Sequence, residues 1–143
     1  MIDLEKLQEL WKEDSTIDID NLHNESLRVP TLHSKYYEIY NNISLLRKRA
    51  ELQYKQKKLE RYNYYSGKAD PQAYVEEPFP YKVRDKEGMQ RYLDADNKLS
   101  DIFMKIEYYD TMLKYLEEII KMISNRSFQI KNSIDFLRFQ SGM

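Results

Sequence analysis

Apolar residues recur along this chain at steps of three and four, the spacing of helix faces rather than strands. Leu4, Leu7, Leu10 and Trp11 share one face and predict a short amphipathic helix within residues 1–16, stopped by Asp14-Ser15-Thr16. Asp18 or Asp20 offers the next N-cap. From there to Ser66 no glycine intervenes, and Leu32, Tyr36, Ile39, Ile43, Leu46 and Ala50 follow a heptad-like series that fades at Gln53 and Lys57. Residues 18–66 therefore read as one long helix, with Pro30 expected to start, kink or interrupt it and Gly67 to cap it. Residues 67–84 hold three of the four prolines and read as a connector. Residues 85–124 form a second long helix, with Leu99, Ile102, Ile106, Tyr109, Leu113, Leu116, Ile120 and Ile123 as its seam. Ser124-Asn125-Arg126-Ser127 suggests a break, and residues 125–143 a last helix carrying Phe128, Ile130, Ile134, Leu137 and Phe139.

The chain is thus expected to be one all-α domain of 143 residues, with long seamed helices and short terminal ones. Only 3 Gly and 4 Pro speak against folds that need many turns. Two long helices cannot cover all their own aromatics, which include Tyr36, Tyr37, Tyr40, Phe103, Tyr108, Tyr115, Phe136 and Phe139. Exposed apolar surface of that extent implies a partner. Self-association into a closed ring is the economical expectation. No apolar run approaches the 18 residues of a membrane span, and the acidic-amphipathic start is unlike a signal peptide. Without cysteine there is no disulfide or thiolate metal site, which suits a cytoplasmic protein.

Charge changes this picture more than composition does. The net charge of −1 conceals a polarity. Residues 1–25 carry eight acids against two lysines, a net of −6, and residues 47–61 carry seven cations against two acids, a net of +5. The basic run leads into Arg61-Tyr62-Asn63-Tyr64-Tyr65-Ser66-Gly67-Lys68. Lysine and arginine neutralise phosphates, and tyrosine faces accept unstacked bases, so the pairing suits single-stranded nucleic acid better than duplex. The candidate DNA-binding residues are Lys55, Lys57, Lys58, Arg61, Tyr64, Tyr65 and Lys68, with Arg47, Lys48 and Arg49 as a secondary basic patch. Two bland readings stand beside this one. A charge run also serves as a solvated helix face, and Tyr62, Tyr64 and Tyr65 could instead pack the helix end against the 70–81 segment. The acidic first helix with Trp11 is either a docking face for a protein partner or simple packing on the bundle.

Catalytic chemistry is poorly supplied. His23 and His33 stand ten apart without a metal-binding pattern, and three isolated glycines build no phosphate loop. No metal site or cofactor is expected. Asn24-Glu25-Ser26, Asn42-Ile43-Ser44 and Asn125-Arg126-Ser127 fit the glycosylation pattern, which is common by chance.

The string Arg61-Tyr-Asn-Tyr-Tyr-Ser-Gly67, followed by Lys68-Ala-Asp70, resembles the central motif of the UvsY family, the recombination mediators of T4-like bacteriophages. The start Leu4-Glu-Lys-Leu-Gln-Glu9, the stretch Leu93-Asp-Ala-Asp96 and the ending Asn125-Arg-Ser-Phe-Gln-Ile-Lys131 with Arg138-Phe-Gln-Ser-Gly142 are similar to that family in order and spacing. The resemblance implies a non-enzymatic protein of the host-cell cytoplasm that forms a hexameric or heptameric ring. It implies binding of single-stranded DNA and loading of a RecA-like recombinase onto strands coated by single-stranded-DNA-binding protein, with both proteins as partners. It ties DNA binding to basic residues before the motif; Arg61 matches one, and the other falls on Leu59, with Lys57 and Lys58 beside it. It also implies a self-associating C-terminal part. The rival class is a helical coiled-coil scaffold or adaptor without a nucleic-acid role, which would leave the cationic lead-in and tyrosine cluster unexplained.

Overall fold

The computed structural model describes residues 2–142. Five helices appear in order: α1 (Leu4–Asp14), α2 (Leu22–Tyr65), α3 (Pro71–Glu76), α4 (Lys86–Asp94) and α5 (Asn97–Gln140). No strand occurs among the described residues. The protein is all-α, as the spacing predicts. It forms two compact units, one taking the residues up to Ser44 and from Thr111 onward, the other Leu45–Asp110.

In the first unit, Asp3 caps α1 by accepting the Lys6 N–H at 2.8 Å. Leu7 and Trp11 are buried, and Trp11 meets Tyr36 edge-on at 5.3 Å. Asp14, at the end of α1, accepts from Arg28 Nη2, Lys35 Nζ and Tyr36 Oη at 2.7, 2.7 and 2.8 Å. Burial pushes the Asp14 carboxyl up, but the bonds from Lys35 and Tyr36 and the nearby cations outweigh it, so its pKa falls below the usual value. Arg126 of α5 donates to the carbonyls of Asp14 and Thr16, at 2.9 and 3.1 Å, and to Glu25 at 2.7 Å. The first helix is thus held inside its own unit by buried polar contacts, which favours the packing reading of that segment.

Two expectations need correction here, and a third, that Pro30 starts, kinks or interrupts the helix, is narrowed. Pro30 lies inside α2 without interrupting it. Its position is exposed, so the Ser26 carbonyl that loses its donor remains open to water. The break expected at residues 124–127 is absent, because Ser124 Oγ bonds back to the Ile120 carbonyl at 3.0 Å and Arg126 points inward; the last helix is the continuation of α5. The helix expected over 85–124 is instead two, parted at Ala95-Asp96, where Asp96 accepts the Leu99 N–H at 3.0 Å and caps α5.

The seams also shift register. On α2 the inward row takes two steps of four, from half-buried Leu46 to buried Ala50 to half-buried Tyr54, rather than falling on Gln53. On α5 it takes two steps of three, Ile106 to Tyr109 to Met112, and continues through Leu116, Ile119, Ile123, Arg126 and Ile130. Met112 and Ile119 are fully buried where the heptad reading placed Leu113 and Ile120. Insertions of four and of three residues into a heptad row locally unwind and overwind it, and a strict heptad count does not anticipate them.

The second unit is built around Tyr64, Tyr65, Val83, Met89, Leu93 and Leu99. α2 ends in a Schellman motif. Gly67, at φ 81°, gives its N–H to the Tyr64 carbonyl at 3.2 Å, and Lys68 bonds the Asn63 carbonyl at 2.8 Å. The connector is more ordered than the proline content suggests. Asp70 caps α3 through the Gln72 N–H, Pro71 occupies its first turn, and Val83 N–H returns to the Tyr65 carbonyl at 2.9 Å.

Candidate nucleic-acid interface

The residues singled out in the cationic run separate into three groups in the structure. The first is buried. Arg61 Nε donates to Asp96 Oδ2 at 2.7 Å, and Nη2 reaches Glu77 at 3.2 Å. The guanidinium lies over the Tyr64 ring at 4.2 Å and the Tyr65 ring at 5.1 Å. Tyr65 Oη donates to the same Asp96 oxygen at 2.5 Å, and Tyr64 Oη to the Glu77 carbonyl at 2.6 Å. Tyr64 stacks on Tyr74 at 5.2 Å, and Tyr65 meets Phe79 and Tyr92 at 5.2 and 5.3 Å. Arg61 is 4 % exposed, so its charge is spent inside the fold. The tyrosine pair follows the second of the two readings, packing the helix end against the connector.

The electrostatics agree. Burial would lower the Arg61 pKa, but the bonds to Tyr65, Asp96 and Glu77 more than reverse this, and the group stays charged. Burial raises the Asp96 carboxyl, yet the donors Tyr65, Leu99 N–H and Arg61 together bring it below the usual carboxylate value. Burial and the Asp96 carboxylate push the Tyr65 hydroxyl up, so it remains a donor. The Arg-Tyr-x-Tyr-Tyr string thereby fixes where α2 ends.

The second group is paired at the surface. Arg47 bonds both Asp110 and Glu51, and Lys57 pairs with Glu60 at 3.0 Å. The third group is exposed: Lys48, Arg49, Lys55, Lys58 and Lys68, none of which pairs with an acid among the described residues. Lys48, Lys55 and Tyr62 stand seven apart on α2, and Leu45, Leu52 and Leu59 alternate with them on the same face. The three leucines are more than half exposed and Tyr62 is 44 % exposed. The cations of this outward stripe were expected from the sequence, but the leucines that alternate with them were not, because the apolar series was followed only along the inward row. Their signal was the spacing Leu45-Leu52-Leu59 itself.

The self-association residues also divide. Ile130 is buried within its own unit and Ile134 is half-buried. Phe128, Leu137 and Phe139 are exposed, as is Phe136. Among the described residues no acidic, histidine or cysteine cluster could hold a metal ion, and no helix is long and apolar enough to cross a membrane.

An all-α chain whose exposed helix face alternates cations with apolar side chains has the features of a nucleic-acid-binding protein. Residues 10–143 match the family described as "Recombination, repair and ssDNA binding protein UvsY", and the chain belongs to that family. It is 30 % identical over 139 residues to the recombination protein uvsY of Enterobacteria phage T4, covering 97 % of this chain and 98 % of that one. Two crystal structures of the bacteriophage T4 recombination mediator protein UvsY superpose with a TM-score of 0.83 at 27 % identity. They cover 97 % and 99 % of this chain and 99 % of each of theirs.

Proposed function

We propose that this protein is a non-enzymatic recombination mediator. It acts in the host cytoplasm, binds single-stranded DNA, and helps seat a RecA-like recombinase on strands coated by single-stranded-DNA-binding protein. The observation that carries the reading is the exposed stripe of α2, where unpaired cations alternate with apolar side chains within the residues that match the family. Phosphates lie on Lys48, Arg49, Lys55, Lys58 and Lys68, while bases meet Tyr62 and the leucines. Arg61, Tyr64 and Tyr65 act one step back, as the packing that sets the stripe's end.

The exposed phenylalanines of the α5 end join protomers into a ring, hexameric or heptameric. A ring repeats the stripe, and several weak contacts on one strand gain through effective concentration. A strand held extended across successive protomers is loosened from its coating protein and presented to the recombinase.

The test is fluorescence anisotropy with labelled single strands and duplex over a salt series, with light scattering on the same sample. Three to five phosphates per protomer correspond to a slope of log K on log salt of about −2 to −3.5 per protomer engaged, at about −0.7 per phosphate. Preference for single strands with such a slope, from a particle several times 17.4 kDa, is the expected result. An intact oligomer that binds neither form at low salt would leave the scaffold reading.

A further inference from the structure

The outward row Lys48-Lys55-Tyr62 runs into a cleft in the second unit. Lys58 and Tyr62 of α2 form one wall, and Arg84, Asp85 and Lys86 before and at the start of α4 form the other. Buried Met89 and Leu93 lie at its base, with Gln90 beside them. Its volume is ≈ 310 Å³, at the small end of the range for ligand clefts, about 300–1,000 Å³. Three cations against one acid leave a net of +2, and the acid is engaged, since Asp85 Oδ2 accepts the Gly88 N–H at 2.7 Å. Lys58, Arg84 and Lys86 are exposed and make no ion pair among the described residues.

We infer that this cleft is a single-nucleotide seat for the bound strand, in which one base stacks on Tyr62 over Met89 and Leu93 and its flanking phosphates lie on Lys58, Arg84 and Lys86. The inference rests on the single-strand reading above and adds two residues far from the tyrosine motif. The occupant is a nucleotide within a strand because the cleft continues the cationic row of α2. It is single-stranded because Tyr62 can be stacked upon only by a base whose face is free. A half-exposed ring at the mouth of a concave, cation-walled site also differs from the flat leucine surface before it. The seat would therefore hold a base more rigidly than the rest of the stripe.

The test compares wild type, Tyr62→Ala, the double variant Arg84→Ala/Lys86→Ala, and Tyr37→Ala as an exposed-tyrosine control in the other unit. Circular dichroism first establishes that each is folded. Strand affinity is then read over a salt series with an oligothymidylate, and 4-thiothymidine oligomers are photocrosslinked and mapped by mass spectrometry. Tyr62→Ala should weaken binding at least fivefold, at the lower bound for losing one stacked base, with little change in salt slope. Removing Arg84 and Lys86 should flatten the slope by about 1.4 per protomer engaged, two phosphates at about 0.7 each. Tyr37→Ala should bind as wild type, and the crosslink should fall within residues 58–62 or 84–90. A wild type that does not bind single strands overturns the mediator reading itself. If wild type binds while Tyr62→Ala and the double variant keep its affinity and slope, the seat is wrong and the stripe alone holds the strand. Crosslinks confined to other segments overturn the seat in the same way.

Discussion

Replacing Arg61 by alanine separates two roles that sequence alone assigns to the same residue. As a phosphate contact, Arg61→Ala would weaken strand binding and leave the fold untouched. Its burial and pairing predict the reverse. Arg61 and Asp96 have side chains 5 % and 2 % exposed, 2.7 Å apart. Removing one partner of such a pair strands the other as an uncompensated buried charge, at a cost of about 3–5 kcal/mol. For a chain of this length each kcal/mol moves the midpoint by about 3 °C, so the melt should fall by about 9–15 °C at matched protein concentration. The assay is thermal unfolding by circular dichroism, with strand anisotropy read well below the variant's midpoint, where affinity should match wild type. A second substitution sharpens the test. Asp96→Asn keeps an N-cap for α5 and an acceptor for Tyr65 but carries no charge, so adding it to Arg61→Ala should recover part of the loss. If Arg61→Ala melts with wild type and loses strand binding, the buried-pair reasoning is refuted.

Two other predictions follow from the same structure. Asp14 and Asp96 titrate below the ordinary carboxylate value of 3.8 in the folded chain, so the unfolded chain takes up their protons first. Their stabilisation is complete above that value and lost as pH falls through it toward the lowered ones; midpoints measured from about pH 6 to 3 should drop there, less steeply in Asp96→Asn, and parallel curves would refute the assignment. Phe136→Ser/Phe139→Ser changes side chains 59 % and 82 % exposed, so light scattering should show a smaller particle with helix content kept, and a full-sized oligomer would move the self-association face elsewhere. Truncation before Asn125 is a poorer probe than these point changes, because it also removes Arg126 and Ile130 from the first unit's interior.

The helices were legible because their signals are local. Leu7 and Trp11 on α1, the steps of three and four on α2 and α5, and Gly67 at the end of α2 each declare themselves within a few residues. The interruptions were not, because each depends on a distant partner. Asp96 starts a helix while also receiving Arg61, 35 residues earlier, and Arg126 prolongs one by reaching Asp14 and Glu25 more than a hundred residues away. The same limit governs the site. Arg61 and Lys58 look alike in a basic run, and only the position of Asp96 makes one a buried brace and leaves the other free. Arg84 and Lys86 sit in what reads as a connector and its edge, and nothing local brings them to Tyr62.

The two units are unequal in how their parts are spread along the chain. The second occupies one uninterrupted stretch, Leu45–Asp110, and all its members have been synthesised once Asp110 emerges. The first needs both ends of the sequence. Arg126 must find Asp14, Thr16 and Glu25 across 101 to 112 residues, against 35 for Arg61 and Asp96. Closing the larger loop costs only about 1 kcal/mol more, but translation imposes a stricter order. Until α5 is made, the Asp14 and Thr16 carbonyls and the Glu25 carboxylate lack the Arg126 that bonds them. All segments of the second unit, with the proposed strand-binding surface, therefore precede Arg126, the residue that clasps the end of the acidic helix α1. A nascent chain that has reached Asp110 thus carries every residue of the basic surface while its acidic end still lacks Arg126.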